Sequence, residues 1–242
     1  MRLDRYLANN GFGSRSEVRK LLSSGKVKLD GNTVRDGSTD VAEGSVVSCG
    51  GIVKSVEAGF VCYMLNKPAG TVTAATDPDH RTVMELFAGD IKDGLNPVGR
   101  LDKDTEGLLI VTDDGELGHF LTSPRRNVPK KYYAMLDGIP GEDGIRKVEE
   151  GIAFKEFTSR PAVMEIISRD EDAGSCEVFI TVTEGRFHEV KRLMAAIGCN
   201  VRYLKRVAFG SLELDEALAP GSYRRLDEEE VRKLMDDCGM RR

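Results

Sequence analysis

The sequence predicts an α+β protein with a small helical module at its N-terminus and a larger domain built on a mixed, largely antiparallel β-sheet. Three observations support this fold class. Helical periodicity with a capping pattern occupies the start of the chain, apolar strand-like runs recur from residue 60 onward, and the later helices and strands do not alternate as regular βαβ units. Regular alternation would favour a parallel sheet. We expect a first domain over residues 1–58 and a second over residues 59–242.

The first domain begins with two predicted helices. Apolar residues recur at helical spacing over residues 3–11, and Gly11 closes this helix. Ser14 followed by Glu17 has the pattern of a capping box. The second helix should therefore begin after Ser14 and end near Ser23.

A hairpin and a linker complete the first domain. Val27, Leu29 and Val34 alternate around an Asp-Gly-Asn turn at residues 30–32, as expected for two short paired strands. The glycine-containing stretch 50–59 predicts a linker to the second domain.

The second domain mixes strands and helices. Strands are predicted at 60–65, 108–112, 132–136, 162–167 and 176–183. Helices are predicted at 82–88, 115–122, 142–150 and 187–197. We find no internal repeat and no low-complexity segment.

The composition excludes several classes of protein. With 40% hydrophobic and 31% charged residues, the chain is ordinary for a soluble globular protein. Its apolar runs are far shorter than the ~20 residues of a membrane span, and its start lacks a secretory signal, so we expect a cytoplasmic protein without a membrane partner. The five cysteines are scattered and the three histidines lack ligand spacing, so neither disulfides nor a metal site are expected.

The charge is distributed unevenly along the chain. The net charge of -5 by itself does not indicate a nucleic-acid partner, because nucleic-acid-binding domains are often basic. Basic residues nevertheless dominate 1–28, 125–131 and 186–206, whereas 213–237 is acidic. Local basic faces determine phosphate binding, although a solvated surface can show the same pattern.

A charged loop bounded by glycines leads into an apolar strand at residues 99–109. Loops anchored by a rigid strand often carry reactive side chains, although composition alone favours a surface turn. Asp102 differs from its neighbours because it lies between two basic residues and follows a leucine that can anchor the loop. Asp104 and Glu106 are expected to be surface charges.

The segment RLDRYLANNGFGSRSEVRKLLSSGKVKLDGNTV resembles the S4 RNA-binding module. The resemblance implies that the first domain contacts RNA through basic residues on or beside its second helix, namely Arg15, Arg19, Lys20 and Lys26. The alternative is a small helical cap with solvated lysines.

The segment GRLDKDTEGLLIVTDDGELGHFLTSPR resembles the signature of the RsuA/RluA group of RNA pseudouridine synthases, whose loop carries an essential aspartate. YMLNKPAG precedes it, and KKYYAML and EGRFHEVKRLMAAIG follow in the expected order. The resemblance implies a catalytic domain that isomerises uridine in ribosomal RNA to pseudouridine, with Asp102 as the reacting carboxylate. The details DPDHRTV, GRFHEVKR and PGSYRRL are most similar to members that act on 16S RNA, of the uridine 516 class.

The expected reaction breaks the N1–C1′ bond, turns the uracil and rejoins it through C5. Because no redox change or net hydrolysis occurs, no cofactor is expected. The carboxylate can act as nucleophile at C1′ or as base at C2′, and the sequence leaves both routes open. A neighbouring cation would keep it ionised.

The resemblance also assigns roles to three other residues, and Lys130 is a further candidate. Lys191 matches the cation that pairs with the aspartate, although helix periodicity alone makes it a surface lysine. Tyr132 matches the tyrosine that stacks on the extruded base, and the alternative is a core tyrosine. Arg100 matches the arginine that fills the space left by that base. Lys130 is a candidate phosphate contact, with simple solvation as the alternative.

Three other functions compete with this interpretation. The chain could modify 23S RNA, as some relatives do, or it could be a non-catalytic RNA-binding factor for ribosome assembly. A glycosidase would need a second positioned acid, which the resemblance does not offer. The expected partner is ribosomal RNA within a subunit or assembly intermediate, and the protein is expected to be a monomer. The turn at Lys67 is interpreted as structural.

Overall fold

The computed structural model describes residues 2–56, 60–87 and 94–241. The chain divides into two compact units, one of Met1–Val61 with Ala88–Leu95 and the other of Cys62–Phe87 with Asn96–Arg242. The predicted domain boundary at 58/59 lies outside the described residues and stays a prediction.

The first unit packs two helices against a four-stranded antiparallel sheet. Its elements are α1 (Leu3–Asn9), α2 (Arg15–Ser23), β1 (Val27–Leu29), β2 (Asn32–Thr33), β3 (Val46–Cys49) and β4 (Ile52–Ser55), and the strand order is β2-β1-β3-β4 among the residues described. The predicted capping box is present, since Glu17 accepts a hydrogen bond from the Ser14 backbone N–H while the Ser14 hydroxyl accepts one from Glu17 N. The predicted hairpin is present too, with Asp30 and Gly31 both at positive φ, as a tight two-residue turn requires.

The second unit is built on a single large sheet. Its strands are β5 (Cys62–Lys67), β6 (Asn96–Pro97), β7 (Glu106–Thr112), β8 (Lys130–Asp137), β9 (Val163–Asp170), β10 (Ser175–Val182), β11 (Asn200–Phe209), β12 (Leu212–Glu213) and β13 (Tyr223–Arg225). The main path through the described strands is β13-β5-β7-β11-β8-β10-β9, and within it β7 and β11 form the parallel pair. The expectation of a mixed, largely antiparallel sheet is confirmed.

In the described part of the second unit, three α-helices lie in connections between strands and a fourth follows β13. They are α3 (Gly115–Thr122), α4 (Glu142–Glu150), α5 (Glu189–Ala196) and α6 (Glu228–Asp237), with a 3₁₀ helix at Val83–Leu86. The helix predicted over 82–88 is thus a single 3₁₀ turn. The one predicted over 187–197 begins two residues later, because His188 adopts a left-handed conformation with φ 52°. No helix in the described part of the chain is long and apolar enough to span a membrane.

Close approach of β7 and β11 at the sheet centre depends on a glycine. Gly107 has φ 100°, and a Cβ at this position would collide with the backbone of Arg206 on β11. Any other residue would therefore separate the two strands. This contact fixes the end of β7 that immediately follows the Asp102 loop.

Candidate active site

The loop that carries Asp102 connects β6 to β7 and is anchored on both sides of this residue. Leu101 is buried, and its backbone is held by Thr73, whose hydroxyl donates to Leu101 O at 2.8 Å and accepts from Leu101 N at 3.1 Å. On the other side, Thr105 N donates to Asp102 O at 3.1 Å. The carboxylate is therefore presented from a fixed backbone.

Lys67 supports the same loop from beneath. Its ammonium is fully buried and donates to Thr105 O at 2.8 Å, to Pro68 O at 3.1 Å and to Lys103 O at 3.4 Å. Burial lowers the pKa of this ammonium to about 8, although nearby carboxylates oppose the shift. The geometry agrees with a structural role for Lys67.

Lys191, on the first turns of α5, reaches two carboxylates of the loop. Its Nζ lies 3.3 Å from Asp102 Oδ2, and it donates to Asp104 Oδ1 at 2.6 Å and Oδ2 at 2.9 Å. Partial burial opposes the charge of Lys191, but the hydrogen bond to Asp104 and the two negative charges raise its pKa overall. Lys191 is thus a cation beside Asp102 and not an isolated surface lysine.

Asp104 is a surface charge, as expected, whereas the same expectation for Glu106 needs correction. Asp104 is exposed, yet its hydrogen bond from Lys191 lowers the pKa of its carboxyl. Glu106 is partly buried and accepts a 2.6 Å hydrogen bond from the hydroxyl of Tyr203 on β11. Both residues tie the loop to other elements of the second unit.

His188 contacts Asp102 from the loop that precedes α5. Its Nε2 lies 3.6 Å from Asp102 Oδ1. Arg186 anchors this loop, because its Nε donates to Glu184 at 2.9 Å and its backbone N–H donates to Glu189 at 3.2 Å. Burial and the charge of Glu184 raise the pKa of Glu189 to about 7.

A cavity of about 650 Å³ opens beside Asp102. Tyr132, on β8, is 8% exposed and lines this cavity. Tyr133 points to the other face of the strand, where it makes edge contacts with Phe179 and Tyr203. The other lining residues include Val72, Thr73, His80, Arg100, Lys103, Lys130, Arg186, Phe187, His188, Arg206 and Phe209.

The predicted RNA contacts around the cavity differ in exposure. Arg100 is exposed at its wall. Lys130 is buried rather than solvated, and it donates to Val128 O at 2.9 Å. Its Nζ lies 4.9 Å from the ring centroid of Phe209. Burial, with a contribution from the charge of Arg206, lowers the pKa of Lys130 to about 8.

Sequence reasoning missed Arg206 as a residue of this site. It is 1% exposed, and its Nε donates to Leu108 O at 2.8 Å. Within the part of the chain that the structure describes, its Nη2 has no hydrogen-bond partner. The sequence carries little signal for this role, because Arg206 lies in a strand that also carries Arg202 and Lys205. Its burial distinguishes it, since arginine is rarely buried unless it is paired.

Sequence comparisons identify the family. A sequence profile for RNA pseudouridylate synthase matches residues 61–196, and a profile for the S4 domain matches residues 1–47. The chain belongs to the RNA pseudouridylate synthase family. It is therefore an isomerase of RNA uridine with an N-terminal S4 domain, as the sequence motifs predicted.

Relatives match this synthase over nearly their whole length. It is 40% identical to an uncharacterised RNA pseudouridine synthase of Bacillus subtilis, over 97% of this chain and 98% of that protein. It is 37% identical to ribosomal small subunit pseudouridine synthase A of Escherichia coli K12, over 96% and 98% of the two chains. A crystal structure of a pseudouridylate synthase matches with a TM-score of 0.69 at 33% identity, over 97% of this chain and 99% of that one.

The S4 domain of this synthase presents its predicted RNA-binding residues on its surface. Arg15, Arg19 and Lys20 are exposed on α2, and Lys26 is exposed just before β1. Among the residues that the structure describes, no cluster of His, Cys, Asp and Glu could hold a metal ion.

Proposed function

We propose that this RNA pseudouridine synthase isomerises one uridine of 16S ribosomal RNA, of the uridine 516 class, with Asp102 as the essential carboxylate. The observation that carries the proposal is the position of Asp102. Its carboxylate lines a cavity beside a buried tyrosine and has a lysine ammonium 3.3 Å away. An ionised carboxylate next to a pocket that can hold a base is what glycosidic bond cleavage and re-formation require.

Asp102 can act in either of two ways. As a nucleophile it forms a bond to C1′ while the N1–C1′ bond breaks and uracil leaves as an anion, and the Asp102–C1′ bond breaks when C5 attacks C1′. As a base it removes the C2′ proton while the uracil anion leaves, and C2′ regains a proton when C5 bonds to C1′. In both routes C5 then loses its proton and N1 takes one up, so the product is an isomer of the substrate. In both routes the Lys191 ammonium, 3.3 Å from Asp102 Oδ2, places a positive charge beside the reacting carboxylate.

The remaining cavity residues have roles in base extrusion and RNA binding. The uridine must leave its helix to reach Asp102, and the ring of Tyr132 offers a stacking surface inside the cavity. Arg100 is exposed at the wall and would occupy the space that the base leaves. Lys130 and Arg206 place positive charge deeper in the cavity, which suits a phosphate or a carbonyl oxygen of uracil.

The choice of small-subunit RNA as substrate is supported by relatives named ribosomal small subunit pseudouridine synthase A, which are 36–39% identical over 96% of this chain. We propose that the enzyme acts in the cytoplasm, as a monomer, on 16S RNA within a subunit or assembly intermediate. The exposed basic side chains of α2 would hold the RNA through its phosphates.

Pseudouridine mapping of 16S and 23S RNA in cells lacking this protein tests the proposal. We expect one 16S site to disappear and to return with the wild-type gene but not with Asp102→Asn. Loss of a 23S site instead would show that the protein is a pseudouridine synthase whose substrate is 23S RNA. If no site disappears while ribosome assembly is impaired, the chain is a binding factor and the proposal is wrong.

A further inference from the structure

An exposed phenylalanine lies at the cavity that contains Asp102. Phe187 is 76% exposed, more than any other large hydrophobic side chain in the described residues. It lines the same cavity as Asp102 and Tyr132. An isolated surface phenylalanine needs no explanation, but its position beside a reacting group calls for one.

The structure holds Phe187 in a defined orientation. Its ring stacks on the ring of His188 with centroids 3.8 Å apart and planes 20° from parallel. The neighbouring Arg186 is tied to Glu184 and Glu189 by side-chain and backbone hydrogen bonds. His188 also adopts a left-handed backbone with φ 52°, which is uncommon outside glycine. Such strained residues are concentrated at functional sites.

The surroundings of this aromatic pair favour RNA over an apolar partner. Arg100, Lys103 and Arg186 line the same cavity, so the exposed ring lies among cations. Aromatic rings combined with positive charge are the usual means of holding unpaired nucleotides. An apolar protein partner would have to bury these charges without compensation.

We propose that the Phe187–His188 pair is a stacking platform for an RNA base next to the uridine that is extruded. This inference rests on the proposed function and adds a second base-binding position to it. Extrusion of a uridine uncovers one face of each neighbouring base. With Arg100 beside one of them, the outer face of Phe187 can cover the other. Because His188 Nε2 lies 3.6 Å from Asp102 Oδ1, only the His188 side chain separates Phe187 from the reacting carboxylate.

Three substitutions at Phe187 separate stacking from apolar bulk. Phe187→Ala removes both, Phe187→Leu keeps apolar volume without an aromatic face, and Phe187→Tyr keeps the aromatic face. Val163→Ala is the matched control, because Val163 is 66% exposed on β9 and does not line the cavity. The substrate is the ribosomal RNA fragment that the wild type isomerises, with 2-aminopurine beside the target uridine, because stacking quenches its fluorescence.

We expect the alanine and leucine variants to bind this RNA about 5- to 150-fold more weakly, the range that corresponds to the loss of one stacked base. They should also lose the 2-aminopurine quench on one side of the uridine, whereas the tyrosine variant and Val163→Ala keep wild-type binding. The stacking platform would be overturned, and the proposed function left standing, if Phe187→Leu bound RNA as tightly as the wild type. Equal losses of RNA affinity in Phe187→Tyr and Phe187→Ala would have the same meaning. A wild type that isomerises no ribosomal RNA would overturn the proposed function.

Discussion

Two aspartates two residues apart provide a direct test of which carboxylate reacts. Asp102→Asn and Asp104→Asn each replace a carboxylate near Lys191 with an amide of the same shape. The Asp104 side chain is 73% exposed and holds the shorter bonds to Lys191, whereas Asp102 lines the cavity. The shorter distance to Lys191 therefore favours Asp104 as the reacting carboxylate, whereas access to the substrate favours Asp102.

The expected losses differ by orders of magnitude. An exposed ion pair such as Lys191–Asp104 contributes ~0.2–1 kcal/mol, so Asp104→Asn should change kcat by less than about fivefold. Lys191 keeps a partner in this variant, because Asp102 Oδ2 is 3.3 Å from its Nζ. Asp102→Asn removes the reacting group, and loss of a nucleophile or general base should lower kcat by at least about 10³-fold.

Release of tritium from C5-labelled uridine in the RNA measures the reaction, because the C5–H bond is replaced by the C5–C1′ bond. Thermal unfolding of both variants should match the wild type and so exclude misfolding as the cause. Asp102 is not the reacting carboxylate if Asp104→Asn loses as much activity as Asp102→Asn, or if Asp102→Asn still releases tritium at near the wild-type rate.

Three further predictions concern the support of the site and RNA binding. Lys67→Met should lower both kcat and the free energy of unfolding, the latter by ~1–3 kcal/mol in urea, because lost hydrogen bonds to loop carbonyls outweigh relief of a buried charge. The pKa of Glu189 is about 7 in the folded protein and ~4.3 when unfolded. Between these values the folded protein holds the proton more tightly, so the free energy of unfolding falls as pH rises. Glu189→Gln should remove that loss and stabilise the protein by ~1–3 kcal/mol at pH 8. Replacing Arg19 and Lys20 with alanine should weaken RNA binding and reduce the slope of log K against log salt by ~0.7–0.9 per phosphate contact.

Each of these predictions has a result that would contradict it. Unchanged unfolding of Lys67→Met would mean that the loop carbonyls find other partners. An unaltered pH dependence of stability in Glu189→Gln would show that this carboxyl does not carry the shift. An unchanged salt slope, equal to that of a Lys147→Ala control on α4, would remove α2 from the RNA interface.

Much of the fold could be predicted where local signals agree with packing. The capping box of α2, the hairpin turn and the helices at α3 and α4 follow from residues that act within a few positions. The longest strand, β11, was missed because its apolar alternation is interrupted. Its pairing with β8 shifts register twice, between Val201 and Tyr203 and between Arg206 and Ala208, so its sequence lacks a period of two.

The site was predictable only in part, for a different reason. The motif singled out Asp102, but the roles of Asp104 and Glu106 depend on Lys191 and Tyr203, which lie far along the chain. Local composition cannot show such long-range partners. The same limit applies to buried cations, because the sequence does not reveal which carbonyls will accept their hydrogen bonds.

The negative total charge is compatible with an RNA substrate because many acidic residues of the C-terminal segment have structural partners. Asp215 and Glu230 both bind Arg224, with N–O distances of 2.8 and 2.7 Å. Asp227 caps α6, and Asp237 accepts a 2.6 Å hydrogen bond from the backbone of the β11–β12 turn. These carboxylates are held in local contacts of the second unit and do not line the cavity. Five basic side chains do line it, namely Arg100, Lys103, Lys130, Arg186 and Arg206. Because local charge governs phosphate binding, the net charge of the chain does not argue against an RNA substrate.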